Sequence, residues 1–183
     1  MREGLKTISK DRAATAWMIG GSLRMFELND KQIADFFRRS YTAVDGLWFV
    51  KAEEKYGFDA ALDLDDEVWK VFPKVQARML RDMGQTASNL DGLCECFSTK
   101  LAIEGFQFDV DKISNGFRVS ISRCPWHDSM VKSGRGSLSG KVGARICGTE
   151  YSVWAAEFGQ GIRFERKSEI CTGAERCVLE FSQ

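Results

Sequence analysis

Residues 105–122, GFQFDVDKISNGFRVSIS, decide the fold. Phe106, Phe108 and Val110 alternate with Gln107, Asp109 and Asp111. After Ser114-Asn115-Gly116, Phe117, Val119 and Ile121 alternate with Arg118, Ser120 and Ser122. A period of two on both sides of a turn triplet predicts a β-hairpin with one apolar face. A second hairpin is predicted near the C-terminus, where Gly161–Glu169 and Arg176–Phe181 flank a turn at Thr172-Gly173-Ala174. Between the hairpins, Pro125–Lys132 reads as a short helix or loop. Residues 133–143, SGRGSLSGKVG, read as a flexible connection, and 144–158 as a helix carrying Tyr151, Trp154 and Phe158.

Upstream of residue 105 the period is helical. Asn29 with Gln32 three residues later forms a capping-box pattern. A helix then runs to Gly57 with Ile33, Phe36, Phe37, Tyr41, Val44, Leu47 and Trp48 as its apolar stripe. A second stripe is Leu64, Val68, Phe72, Val75, Met79 and Met83, with Asp63, Asp65, Asp66 and Glu67 placed in its first turn. Pro73 breaks or restarts it, because proline lacks the N–H and crowds the preceding turn. Further helices are expected at about 9–26, with Trp17 and Phe26 buried, and at about 88–103, with Leu90, Leu93, Cys94, Phe97 and Leu101 inward. The expected architecture is α+β: a helical region, 1–104, packed on an antiparallel region of about four strands with a helical insert, 105–183, in one compact unit.

Composition narrows the function. The 183 residues carry 26 Lys+Arg and 26 Asp+Glu, a formal net charge of zero, which argues against nucleic acid or an anionic membrane as partner. No apolar run approaches the length of a bilayer span, and the charged N-terminus is unlike a secretory signal. A cytoplasmic protein is expected, with a small-molecule ligand and, from aromatic residues on the long helix, a homodimer.

All six cysteines lie at or beyond residue 94. In a reducing compartment, clustered cysteines more often bind metal or do chemistry than form disulfides. Cys94 falls on an apolar stripe and reads as core; Cys96, two residues on, faces the polar side. The other four differ. Cys124 ends the second strand, Cys147 begins the helical insert, and Cys171 and Cys177 bracket the last turn as CTGAERC. Residues flanking a hairpin turn are close across the strands, so these thiols can converge on one edge of the sheet. Four thiolates can hold zinc or an iron–sulfur cluster; unrelated core thiols are the plainer alternative. Glu169 shares a strand side with Cys171, and Glu150 a helix face with Cys147, so each is a candidate carboxylate ligand or base. His127, the single histidine, follows Cys124 by three residues and is a candidate proton carrier.

The stretch from Cys124 onward resembles the vinyl-four-reductase domain at Cys147, Glu169, Cys171, Gly173 and Cys177, followed by V-L-E-F. The resemblance implies a structural zinc at Cys147, Cys171 and Cys177, with Glu169 as fourth ligand, beside a buried pocket for a small aromatic molecule. Glu169 stands two residues before the cysteine where that family has three, and Cys124 is a rival fourth ligand. The chain is also similar to aminothiazoline-carboxylate hydrolases at Cys124, Cys147 with Glu150, and Gly173 with Cys177, which implies hydrolysis of a small cyclic C–N substrate. Two functions follow as expectations: a metal-binding protein with a ligand pocket lined by some of Trp17, Trp48, Trp69 and Trp154, or a small hydrolase with Cys124 or Cys147 as nucleophile or metal ligand and Glu150 or His127 moving protons.

Overall fold

The computed structural model describes residues 26–183; the helix expected at 9–26, and Trp17 with it, lies outside the described residues except for Phe26, which is exposed. The fold is α+β. Four helices, α1 (Asp30–Tyr56), α2 (Phe58–Trp69), α3 (Phe72–Gly84) and α4 (Leu90–Glu104), precede the hairpin β1 (Gln107–Ile113) and β2 (Gly116–Arg123). Next come α5 (Pro125–Lys132) and the long α6 (Ser139–Phe158), then β3 (Arg163–Ser168) and β4 (Cys177–Ser182). The two hairpins join into one antiparallel sheet in the order β1-β2-β4-β3.

Local chemistry sets the boundaries. Asn29 accepts from the Gln32 amide while the Gln32 side chain returns a bond to Asn29, completing the box at the start of α1. Asn89 caps α4, and Gly105 closes it at a φ of 86°, a left-handed conformation that glycine takes without a Cβ penalty. Pro73 restarts the chain in the first turn of α3, where its missing N–H costs nothing.

One face of the sheet is the floor of the core. Its register stacks Phe164, Phe181 and Phe117 in one row and Arg166, Leu179 and Val119 in the next, and sets Cys177 beside Ile121 in a third. Phe117, Val119, Ile121, Leu179 and Phe181 are at most 3 % exposed. Helices α4 and α6 supply Leu93, Phe97, Leu101, Trp154 and Phe158 from above. Phe97 meets Tyr151, Trp154 and Phe181 edge-on, with ring centres 5.1–5.6 Å apart. Each such side chain, fully buried, contributes about 1.5–3 kcal/mol.

The structure departs from the sequence reading in four places. No residue of α1 is buried; Phe36, Phe37, Val44, Leu47 and Trp48 face outward, and the flank turned inward is Tyr41, Asp45 and Phe49. The stripe Leu64, Val68, Val75, Met79 and Met83 is also exposed. The buried face of α2 and α3 is Ala61, Leu62, Asp66, Trp69, Pro73 and Ala77, because α2 starts at Phe58 and sets its acidic run mid-helix. The two neighbouring cysteines exchange roles: Cys96 is 3 % exposed and Cys94 only half-buried. The Gly/Ser stretch is no loose connection, since it holds a 3-10 turn at Gly136–Leu138 and then the first turns of α6, where Ser139 and Gly143 are buried.

Candidate functional site

A cavity of about 550 Å³ opens between the inward flank of α1, α2, α5, the N-terminal half of α6 and the end of the sheet where Ile121 and Cys177 pair. Its walls are mostly apolar and aromatic: Phe49, Trp69, Phe106, Trp126 and Tyr151. Such a concave apolar chamber with a few converging polar groups is the usual form of a small-molecule site. Of the tryptophans expected there, Trp69 lines it, Trp48 is 74 % exposed, and Trp154 is buried in the main core. Trp126, which sequence reasoning passed over, meets Trp69 edge-on with ring centres 6.0 Å apart.

Cys124, Cys147, Cys171 and Cys177 all line this cavity, and all six cysteines of the chain are free. Each of the four comes from a different segment. Cys124 follows β2 directly and caps α5, its Sγ accepting from the His127 amide at 3.5 Å. Cys147 lies on α6 one turn before Glu150. Cys171 is in the 3-10 turn Ile170–Thr172, and its thiol points at Glu169 Oε2, 3.6 Å away. Cys177 opens β4, its Sγ accepting from the Ile170 amide at 3.2 Å. Arg166 fastens this corner: its guanidinium donates to the Gly143 and Ala144 carbonyls of α6 at 2.7 and 3.2 Å and pairs with Glu169 at 2.8 Å. Gly143 makes the approach possible, because a Cβ there would stand 2.8 Å from the Cys171 sulfur and 3.9 Å from the Cys147 sulfur.

The electrostatics of the thiols follow from this crowding. Burial, with the nearby Cys177, pushes Cys124 up to about 11, and burial, with Glu169 and Cys177, pushes Cys171 up to about 11. Burial and Glu150 push Cys147 well above the ordinary thiol range, and burial raises Cys177. Left to themselves the four are protonated at neutral pH and poor nucleophiles. Their donor type, four soft sulfurs on one wall with two backbone N–H groups already aimed at them, suits zinc or an iron–sulfur cluster. Among the described residues, no three of the His, Cys, Asp and Glu side chains form a group ready to ligate one ion; the thiols share a wall without a common centre.

Glu150 is 5 % exposed and faces the cavity. It is bound to the ammonium of Lys100, which also lies 2.9 Å from Glu104 Oε2. Gln76 donates to the other Glu104 oxygen at 3.1 Å. Burial drives the Glu150 carboxyl up to about 7, against the pull of Lys100. Lys100 itself is held above its ordinary range, because the two carboxylates outweigh its own loss of hydration. Neither Lys100 nor Glu104 was singled out from sequence. A signal was present: both continue the inward face Leu93, Phe97, Leu101, four residues apart and of opposite charge. His127 lines the cavity as well, its Nδ1 2.8 Å from Ser139 Oγ.

Fold and site together define a class: an α+β protein whose helices roof one face of an antiparallel sheet, with a cysteine-walled cavity at the sheet's end. The chain belongs to a family of unknown function, DUF6125, whose profile covers residues 27–128. That span runs from the start of α1 through Cys124 and His127 and stops short of Cys147, Cys171 and Cys177. No curated protein and no solved structure matches the chain.

Proposed function

We propose that the protein binds a metal centre, zinc or an iron–sulfur cluster, through Cys124, Cys147, Cys171 and Cys177, and holds a small molecule in the adjoining cavity. The observation that supports this best is the gathering of four free thiols from four separate segments onto one wall. Burial raises every one of their pKa values, a cost that a bound cation offsets by taking the thiolate form. Glu169 is the rival fourth donor, in keeping with the resemblance to the vinyl-four-reductase domain; its pairing with Arg166 weighs against it. A metal held by these four thiols would tie the segment after β2 to α6, the 3-10 turn and β4.

The test is elemental analysis of protein purified without oxygen, with an absorption spectrum to separate colourless zinc from a coloured cluster. One zinc or one cluster per chain is expected, lost in both Cys124→Ala and Cys177→Ala. Loss in Cys177→Ala alone selects the Glu169 version. Metal-free protein whose folding ignores a chelator overturns the reading.

A second reading, hydrolysis of a small cyclic C–N substrate, has one specific observation in its favour. Glu150 is a cavity-lining carboxyl raised to about 7, poised to give or take a proton near neutrality. Turnover of such a substrate that disappears in Glu150→Gln, with the fold intact, supports it; no hydrolysis across a broad substrate panel removes it.

A further inference from the structure

The charged groups of the cavity are unevenly satisfied. Its two arginines are both paired: Arg166 with two carbonyls and Glu169, and Arg135 with Glu53. Its carboxylates on the α1, α2 and α6 side are not. Asp45 has no hydrogen-bond or ion-pair partner among the described residues. Among the described residues Asp65 accepts only the Trp69 indole N–H, at 3.0 Å. Glu150, nine-tenths buried, shares one ammonium with Glu104, and its Oε2 accepts no hydrogen bond among the described residues. The Tyr41 hydroxyl, set in the field of Glu104, Glu150, Asp45 and Asp65, is buried without a hydrogen-bond partner among the described residues.

The aromatic rings stand on the same side. Trp126 meets Tyr41 and Trp69 edge-on, with ring centres 5.6 and 6.0 Å away. The protein already shows what this mixture holds: the Lys100 ammonium lies between Glu104 and Glu150, 5.5 Å from the Phe106 ring centre and 5.9 Å from that of Tyr151. Aromatic faces with unneutralised carboxylates attract an organic cation and repel anions.

From this we infer that the cavity's ligand is a small organic cation, an ammonium or amidinium group on an apolar or aromatic body, its charge set between Asp45 and Asp65 and its body against Trp69 and Trp126. The inference rests on the reading of the cavity as a ligand pocket and adds its chemical class. It accounts for Asp45 of α1 and Asp65 of α2 at the cavity wall, which a pocket for a neutral aromatic molecule leaves without purpose.

Protonation gives an independent handle. Burial pushes Asp45 up to about 6, and burial with the field of Asp45 pushes Asp65 up to about 7. The groups nearest them are Tyr41 on α1, Asp66 and Trp69 on α2 and Glu150 on α6, with His127 of α5 and Arg135 lining the same cavity. A cation favours the ionised carboxylates, so its binding strengthens as pH rises and releases protons.

The experiment is calorimetric titration of the full chain with three near-isosteric probes at about pH 8: benzylamine as cation, benzyl alcohol as neutral and benzoate as anion. Benzylammonium is expected to bind at least about tenfold tighter than benzyl alcohol, with benzoate weakest. Asp45→Asn and Asp65→Asn should each weaken benzylammonium by about threefold or more and leave benzyl alcohol unchanged. The same affinity should fall on going to about pH 5, while that of benzyl alcohol stays constant. Benzyl alcohol or benzoate binding as tightly as benzylammonium overturns the cation preference and leaves the pocket standing. Absence of binding by all three overturns the pocket and the cation together.

Discussion

Lys100 of α4 donates its ammonium to Glu150 of α6, and both side chains are withdrawn from solvent, at 2 % and 5 % exposure. This ion pair ties the helical region to the insert at the edge of the cavity. Its cost in hydration is recovered only while all its members are present.

Removing the cation alone therefore does the most damage. Lys100→Met leaves Glu104 and Glu150 buried with no countercharge. We expect a loss of about 3–5 kcal/mol in denaturant unfolding. The double variant Lys100→Met/Glu150→Gln should recover part of this. A single variant as stable as the parent would mean that the pair carries no such strain.

Stability should depend on pH with an unusual sign. Asp45, Asp65 and Glu150 have folded pKa values of about 6, 7 and 7, raised by burial. A carboxyl whose folded pKa is raised contributes stability that is complete below its ordinary value and lost as pH climbs through the folded one. The melting temperature of the metal-free, ligand-free protein should fall between about pH 5 and pH 8, and Asp45→Asn with Asp65→Asn should flatten the slope. Asp66 acts oppositely at the acid end. Burial works to raise it, but bonds from Thr149 at 2.5 Å and from Lys70 and Arg145 at 3.2 Å outweigh that and hold it low. Its contribution disappears as pH falls below the ordinary carboxylate range. Scanning fluorimetry across pH reads both limbs.

Gly143→Ala separates the thiol wall from the fold. The added Cβ would meet the Cys171 sulfur at 2.8 Å, which a rotation of the Cys171 side chain relieves. Alanine gains about 1 kcal/mol of helix propensity at the same time. The expected result is a melting temperature close to the parent's, with metal stoichiometry sharply reduced. Undiminished metal content would place the centre elsewhere.

Arg166→Met should release β3 from α6. Three charge-assisted contacts disappear, to Gly143 O, Ala144 O and Glu169, from a side chain 17 % exposed. A loss of about 2–4 kcal/mol is expected in unfolding experiments. Arg166→Lys should recover little, because an ammonium cannot reproduce the planar fork that reaches two carbonyls and a carboxylate together.

The sequence by itself determined the two hairpins and the start of α1, the restart at α3 and the existence of α4. The period-two runs around Ser114-Asn115-Gly116, the Asn29–Gln32 box and Pro73 are local signals, and local backbone chemistry answers to them. It also singled out four cysteines that line the cavity, while the single centre expected of them is not assembled among the described residues. Which face of each helix is buried was decided by tertiary packing. The apolar stripe of α1 points outward and Asp45 points in, because the cavity, not an apolar core, lies beneath that helix. Cys94 and Cys96 exchanged places for a related reason: α4 turns its Leu93–Phe97–Lys100–Glu104 face to the sheet and α6, where Glu150 neutralises Lys100. Lys100 and Glu104 lie on the inward face of α4, but the partner that offsets the burial of Lys100 stands fifty positions away and only the tertiary structure brings it there. Pairings of that range depend on how helices settle on a sheet, which no local pattern records.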